Sequence, residues 1–228
     1  MDQSASPSAA ETALEAPSDQ SLRVPCYCEE NVWRLAYRKL QRMTQDDDND
    51  SSGYYIAFVT NPLKCVPMFQ QLAVKNPSKP CYWDYHVILI SYSEDDNSSA
   101  QVFDMDSHLP YPCSLEFYLA NVFPSEIPWP DEYLPYFRLV DAKVFLETFS
   151  SDRMHMYNAE TKKWNATPPT YACILPSKKS NLLKYMTIEE AEVESSMANS
   201  RDDKRPFGTI YSLTDLRKRF RVDPPDQK

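Results

Sequence analysis

The sequence predicts an α+β fold in which an antiparallel sheet is flanked by helices. Three observations carry that expectation. A helix comes first and mostly strands follow, without the regular strand–helix alternation of a parallel sheet. The strand runs are aromatic and β-branched, as in YYIAFVT (54–60) and HVILI (86–90). The polar run EDDNSS (94–99) joins two of them closely enough for a hairpin.

The elements follow in order. Residues 1–21, rich in Ser, Ala and Pro, read as a disordered tail. Val32, Ala36, Leu40 and Met43, with Trp33 and Tyr37 beside them, recur at three and four and predict a helix over 32–43. TQDDDNDSSG (44–53) reads as a flexible, solvated loop. YYIAFVT is a strand ended by Asn-Pro, and KCVPMFQQLA (64–73) holds a short second one. CYWDYHVILISYS (81–93) is the strongest strand, with AQVFDMD (100–106) its partner across EDDNSS. SLEFYLANVF (114–123) and KVFLETFSSD (143–152) read as helices, with the strand YFRLV (136–140) between them. A polar, flexible loop covers 189–206, and FGTIYS (207–212) is a late strand. Ser212 and Asp215 form a capping-box pattern that opens the last helix, LTDLRKRF. A single domain over 22–222 accounts for all of this, with a short tail at 223–228.

Composition excludes several functions. The 228 residues include two glycines, Gly53 and Gly208, too far apart for a phosphate-cradling loop. The net charge is −9, but Asp2, Glu11, Glu15 and Asp19 carry four of those charges and Asp46, Asp47, Asp48 and Asp50 another four. The remainder is close to neutral and shows no basic stripe, so no nucleic-acid partner is expected. The first 21 residues lack the pattern of a signal peptide, and no apolar run approaches the roughly 20 residues of a membrane span. A soluble monomer of the cytoplasm, and of the nucleus as well, is expected, with its six cysteines reduced.

The chemistry starts at VPCYCEENVWRLAYRKL, from Val24. Unpaired N–H groups at a helix start lower a thiol's pKa and can hold an oxyanion. Cys28 is nearer the helix start than Cys26, which suits packing or support. Glu29 and Glu30 suit the helix dipole but oppose thiolate formation, so a base is needed to activate the thiol. C-x-C without a second spaced pair is a weak zinc signal. His86, inside the strongest strand, is the candidate base. If the hairpin turn centres on Asp95, His86 faces Asp104, and a slip by two places Asp106 there instead. Both registers keep an aspartate on the His86 face, because strand faces alternate. Parity does not choose between them. The same alternation puts Trp83 and Tyr85 on the face opposite Asp84 and His86. Asp84 then faces either a cationic substrate or solvent.

CYCEENVWRL, YWDYHVILI, VFDMDSHLPYPC and FSSDRMHM, in this order, resemble the motifs of eukaryotic protein N-terminal glutamine amidohydrolases. The likeness runs from about Cys26 to about Phe220. It implies conversion of an unblocked N-terminal glutamine of proteins or peptides to glutamate, with release of ammonia, which prepares the chain for the N-degron route. It implies a core like that of the transglutaminase and papain-like thiol enzymes, with Cys28 as nucleophile, His86 as base and Asp104 as orienting acid. No metal or other cofactor is implied. An acceptor for the substrate's α-ammonium is required, and Asp84, Asp152 and Glu30 are candidates. The alternatives are a papain-like protease or transglutaminase-type acyl transferase with the same three residues, a non-catalytic binding module, and a small zinc protein.

Overall fold

A computed structural model of the chain describes residues 6–46, 52–93, 100–175, 179–189, 192 and 205–223. Among the described residues ten strands are formed: Ser52–Thr60 (β1), Val66–Met68 (β2), Cys81–Trp83 (β3), His86–Ser93 (β4), Gln101–Phe103 (β5), Cys113–Ser114 (β6), Tyr136–Asp141 (β7), Tyr157–Asn158 (β8), Lys163–Trp164 (β9) and Thr209–Ser212 (β10). Six of them make one sheet in the order β10-β7-β1-β4-β5-β6. Every neighbouring pair in it is antiparallel. The helices are Ala9–Glu15 (α1), Cys28–Asp46 (α2), Leu115–Val122 (α3), Ala142–Thr148 (α4), Leu182–Met186 (α5) and Leu213–Arg219 (α6).

The sheet is covered on both faces. Ile56 and Phe58 of β1 pack with Val87 and Leu89 of β4 beneath Val32, Leu35 and Ala36 of α2, Phe145 of α4 and Tyr185 of α5. Ala57, Val59, Ile88 and Ile90 point the other way, onto Leu115 and Leu119 of α3 and Leu216 of α6. Double coverage explains why β1 and β4 are continuously apolar where a half-exposed strand would alternate. The Ser212 side chain accepts from the Asp215 N–H and caps α6, as its spacing predicts.

Three features matter for the site, the first two of them departures from the sequence reading. First, the described part of 1–21 is ordered structure rather than a disordered tail. Ser8 and Glu11 cap α1 reciprocally, at 2.9 and 3.1 Å. Ala9 and Ala13 are buried, and Arg38 of α2 donates to the Ala13 carbonyl at 3.1 Å and to that of Ala16. Asp19 then pairs with Arg38 at 3.1 Å and Lys39 at 2.7 Å. Residues 44–46 belong to α2 and 52–53 to β1, which leaves 47–51 of the expected acidic loop outside the described residues. Most of 189–206 and residues 224–228 lie outside them too.

Second, the strand expected over 81–93 is two strands. β3 leaves the sheet and pairs with β2. The break falls at Asp84 and Tyr85, where Thr60 donates its hydroxyl to the Asp84 carbonyl at 2.7 Å. Alternation does not carry across it, so Trp83 and His86 share one side, their rings stacked with centroids 5.5 Å apart. Tyr85 points instead toward α2. Third, β4 and β5 pair Leu89 with Phe103 and Ile90 with Val102. That is the slipped register, which continued would bring Asp106 opposite His86. β5 ends at Phe103, and the ladder does not continue.

Candidate active site

The approach to α2 is a tight turn. Pro25 and Cys26 occupy its centre, the Tyr27 N–H donates to the Val24 carbonyl at 3.3 Å, and Cys26 has φ 68°. Proline followed by a positive-φ residue is the pattern of a type II turn, where glycine or asparagine is usual. Asn31, one turn into the helix, clamps both polar atoms of the Val24 backbone at 2.8 and 2.9 Å. The chain thus enters α2 in one orientation, and Cys28 is its first residue, buried in the core. The exposed Cys26 points elsewhere.

His86 opens β4 and is 1% exposed. Its Nε2 lies 2.9 Å from Asp104 Oδ1. The same Oδ1 accepts the Asp106 N–H at 2.9 Å, and Oδ2 accepts the Tyr118 hydroxyl at 2.7 Å. Asp106 is taken by Arg23 at 2.7 Å, and the Leu72 N–H holds the Asp106 carbonyl. Burial alone would depress the imidazole's basicity and raise the carboxyl's pKa. The Asp104 charge and hydrogen bond outweigh it, so His86 titrates above the ordinary imidazole range and Asp104 below the ordinary carboxylate range. With Nε2 occupied, Nδ1 is the nitrogen left for chemistry, and it is buried without a hydrogen-bond partner.

The Cys28 sulfur sits against the backbone N–H of Val87, the residue after His86. Its proton is directed not at Nδ1 but at Glu29 Oε2, 3.7 Å away. Burial, followed by the charges of Glu29 and Asp106, pushes the thiol well above its usual range, and the Val87 N–H opposes them. Glu29 itself is fully buried and accepts the Tyr85 hydroxyl at 3.0 Å. Burial and the neighbouring Glu30 raise its carboxyl to about 7. His155 Nε2 lies 3.7 Å from the other oxygen, Oε1, and burial holds that imidazole below its usual range.

The structure thus joins His86 directly to Asp104 and sets Cys28 against the adjoining peptide. The three acids expected to bind an ammonium all act on the His155 ring but differ in their own contacts. Glu30 is fully buried, with both oxygens held by Arg153 at 2.8–3.2 Å and one also by Ser151 at 2.6 Å. That makes Glu30 an anchor for the 150–175 segment and corrects its expected place among the substrate-binding acids. Asp84 and Asp152 are exposed, each capping a backbone N–H, of Tyr85 and Met154, and both act on the His155 ring. Sequence reasoning missed Tyr85, Trp83, Tyr118, His155 and the uncompensated burial of Glu29. Tyr118 follows Asp104 by fourteen residues, on α3, and nothing in its local pattern signals the contact. Among the described residues, no three His, Cys, Asp or Glu side chains converge as a metal site requires.

The N-terminal glutamine amidase family matches residues 23–220. The chain belongs to this family. Among curated relatives, the protein N-terminal glutamine amidohydrolase of Danio rerio is 33% identical over 206 residues, 90% of this chain and 91% of that one. The human protein of the same name is 30% identical over 205 residues, 90% of each chain. That of Drosophila melanogaster is 31% identical over 201 residues, 88% of this chain and 89% of its own. The match to the N-terminal glutamine amidases begins at Arg23, the partner of Asp106, and closes at Phe220 beyond α6. It therefore takes in every residue of the site.

Proposed function

We propose that this chain hydrolyses the side-chain amide of an N-terminal glutamine to glutamate and releases ammonia, with Cys28 as nucleophile, His86 as base and Asp104 as orienting acid. The observation that carries the reading is the buried His86–Asp104 pair, with Nδ1 open beside the peptide that contacts the Cys28 thiol. The order of parts, a thiol opening a helix and then strands bearing His and Asp, supports extending the likeness to the transglutaminase and papain-like thiol enzymes.

The steps follow from the site. The Cys28 proton passes to His86 Nδ1, and Asp104 stabilises the imidazolium that results. The thiolate attacks the amide carbon, and the unpaired N–H groups of the first turn of α2 receive the oxyanion. His86 returns its proton to the departing nitrogen, so ammonia leaves and a thioester remains. Water then gives a proton to His86 and its oxygen to the acyl carbon. The C–S bond breaks, His86 returns its proton to the sulfur, and the product acid leaves and gives up its own proton to solvent as the carboxylate. By its likeness to the N-terminal glutamine amidohydrolases we place the activity upstream of N-degron recognition, and we propose a monomer of the cytoplasm and nucleus.

The test is ammonia release from a Gln-Xaa peptide, with its acetylated copy and an Asn-Xaa peptide alongside. A gain of about one mass unit, without cleavage or cross-linking, is expected for amide-to-acid conversion. Cys28→Ala should abolish release, whereas Cys26→Ala should keep most of it. Ammonia release by Cys28→Ala, or peptide cleavage by the wild type, overturns the assignment.

A further inference from the structure

Four carboxylates are buried among the described residues: Glu29, Glu30, Asp104 and Asp106. Three have a cationic partner. Glu30 has Arg153 at 2.8 Å, Asp106 has Arg23 at 2.7 Å, and Asp104 has His86 at 2.9 Å, an imidazole it helps to charge. Glu29 has none of comparable quality. Oε2 accepts from Tyr85 and from the thiol, while Oε1 is buried without a hydrogen bond. His155 lies 3.7 Å from Oε1, beyond hydrogen-bonding distance, and partial burial holds its imidazole below the usual range. An uncompensated buried carboxylate is costly unless a cation arrives.

We propose that Glu29 receives the α-ammonium of the substrate, and that this engagement frees the Cys28 thiol to turn from Glu29 to His86. The proposal rests on the amidase reading and deepens it. A glutamine's carboxamide carbon and α-nitrogen are four bonds apart, a span on the order of 5 Å when extended. The Glu29 carboxylate, 3.7 Å from the sulfur at Oε2, lies within that reach. The partly exposed His155 beside it feels the charges of Glu30, Asp84 and Asp152, so the neighbourhood favours a cation. Once an ammonium answers the Glu29 charge, the carboxylate no longer holds the thiol proton or opposes the thiolate. Recognition of an unblocked terminus thereby becomes activation of the nucleophile. An acetylated or internal glutamine brings no cation, and an asparagine is one methylene too short to span both points.

The test compares a Gln-Xaa peptide with its N-acetylated copy on wild type and Glu29→Gln, alongside the rate at which iodoacetamide alkylates Cys28 at neutral pH. The wild type should prefer the free amine on the order of 10²–10³-fold in kcat/KM, the usual consequence of losing one partner of a desolvated charge pair. Glu29→Gln should bring that preference below about tenfold while its thiol alkylates faster than the wild type's. A purely structural role for Glu29 would not raise thiol reactivity. A folded Glu29→Gln that keeps the preference overturns the proposal. Should Glu29→Gln fail to fold, Asp84→Asn/Asp152→Asn, with both changes at the surface, decides the matter. A retained preference supports the buried acceptor, and a lost one overturns it. The amidase reading fails separately, if the wild type releases no ammonia from Gln-Xaa.

Discussion

His86 owes its partner to the place where β5 stops. In the slipped register, a strand continued past Phe103 would carry Asp106 across from His86. Because the ladder ends there, the chain turns, and Asp104 reaches back to Nε2 while Asp106 goes to Arg23. Alternation along the sequence placed an aspartate near His86 but did not distinguish the two; the resemblance supplied the choice of Asp104, and Asp104 is the carboxylate in contact with His86. The two should therefore differ sharply. Asp104→Asn keeps the shape but offers His86 an amide, and kcat should fall on the order of 10²–10³-fold. Asp106→Asn should cost about tenfold or less. Kinetics on one Gln peptide, with circular dichroism as the check on folding, settles it. A folded Asp106→Asn with the larger loss reverses the roles. Glu29 was legible as a charge opposing the thiolate, but its isolation from any cation is a tertiary fact. Its carboxyl rises from 4.5 to about 7. A group raised in the folded state contributes stability that is fully present below 4.5 and is lost as pH climbs through 7. At about 1.4 kcal/mol per unit the loss is about 3 kcal/mol. Glu29→Gln lacks this term, so its stability relative to wild type should rise between pH 5 and 7 and then level off in denaturant titrations. A constant difference across that range contradicts the buried, uncompensated charge.

At the scale of elements, the sheet was readable and its interruptions were not. β1, β4, β7 and β10 lie where aromatic and β-branched runs predict strands, because burial on both faces selects those residues. The break between β3 and β4 has only a weak local signature, the single strand-averse Asp84 among aromatic neighbours. It comes from a distant hydroxyl, Thr60, and from the pairing of β3 with β2. The Ser8–Glu11 spacing did carry a helix signal, and the Ser, Ala and Pro content of the tail masked it. α1 braces α2, the helix that carries the thiol, by supplying two carbonyls to the buried Arg38. Removing residues 1–18 takes both away. At about 1 kcal/mol for each lost hydrogen bond, stability should fall by roughly 2 kcal/mol. For a chain of this size that is a drop in Tm of about 5 °C. Turnover at 25 °C should stay within about twofold, because Asp19 and everything beyond it remain. An unchanged Tm would mean that α1 braces nothing.

Across the whole molecule, single charged side chains hold the irregular segments to the sheet and to α2. Arg138 of β7 donates to the carbonyls of Tyr185, Thr187 and Phe207 and pairs with Glu192 at 3.1 Å. Arg153, with φ 61°, holds Glu30 and donates to the carbonyls of Pro169 and Tyr171 at 3.2 and 2.9 Å. Such roles escape a sequence reading because an arginine in a polar run resembles any solvated one. The Arg153 contacts have a practical consequence. The β8–β9 ribbon turns at 159–162, all exposed, and Arg153 lies before that turn while its carbonyl partners lie after it. β10 crosses the same divide to pair with β7. Opening one peptide bond in the turn, through an engineered protease site, should give two fragments that co-elute as one particle and still release ammonia, whereas adding Arg153→Ala should make them part at a lower denaturant concentration. The enzyme is in effect a split protein that has not yet been cut, with its dividing line drawn through an exposed ribbon and its fastening buried against Glu30.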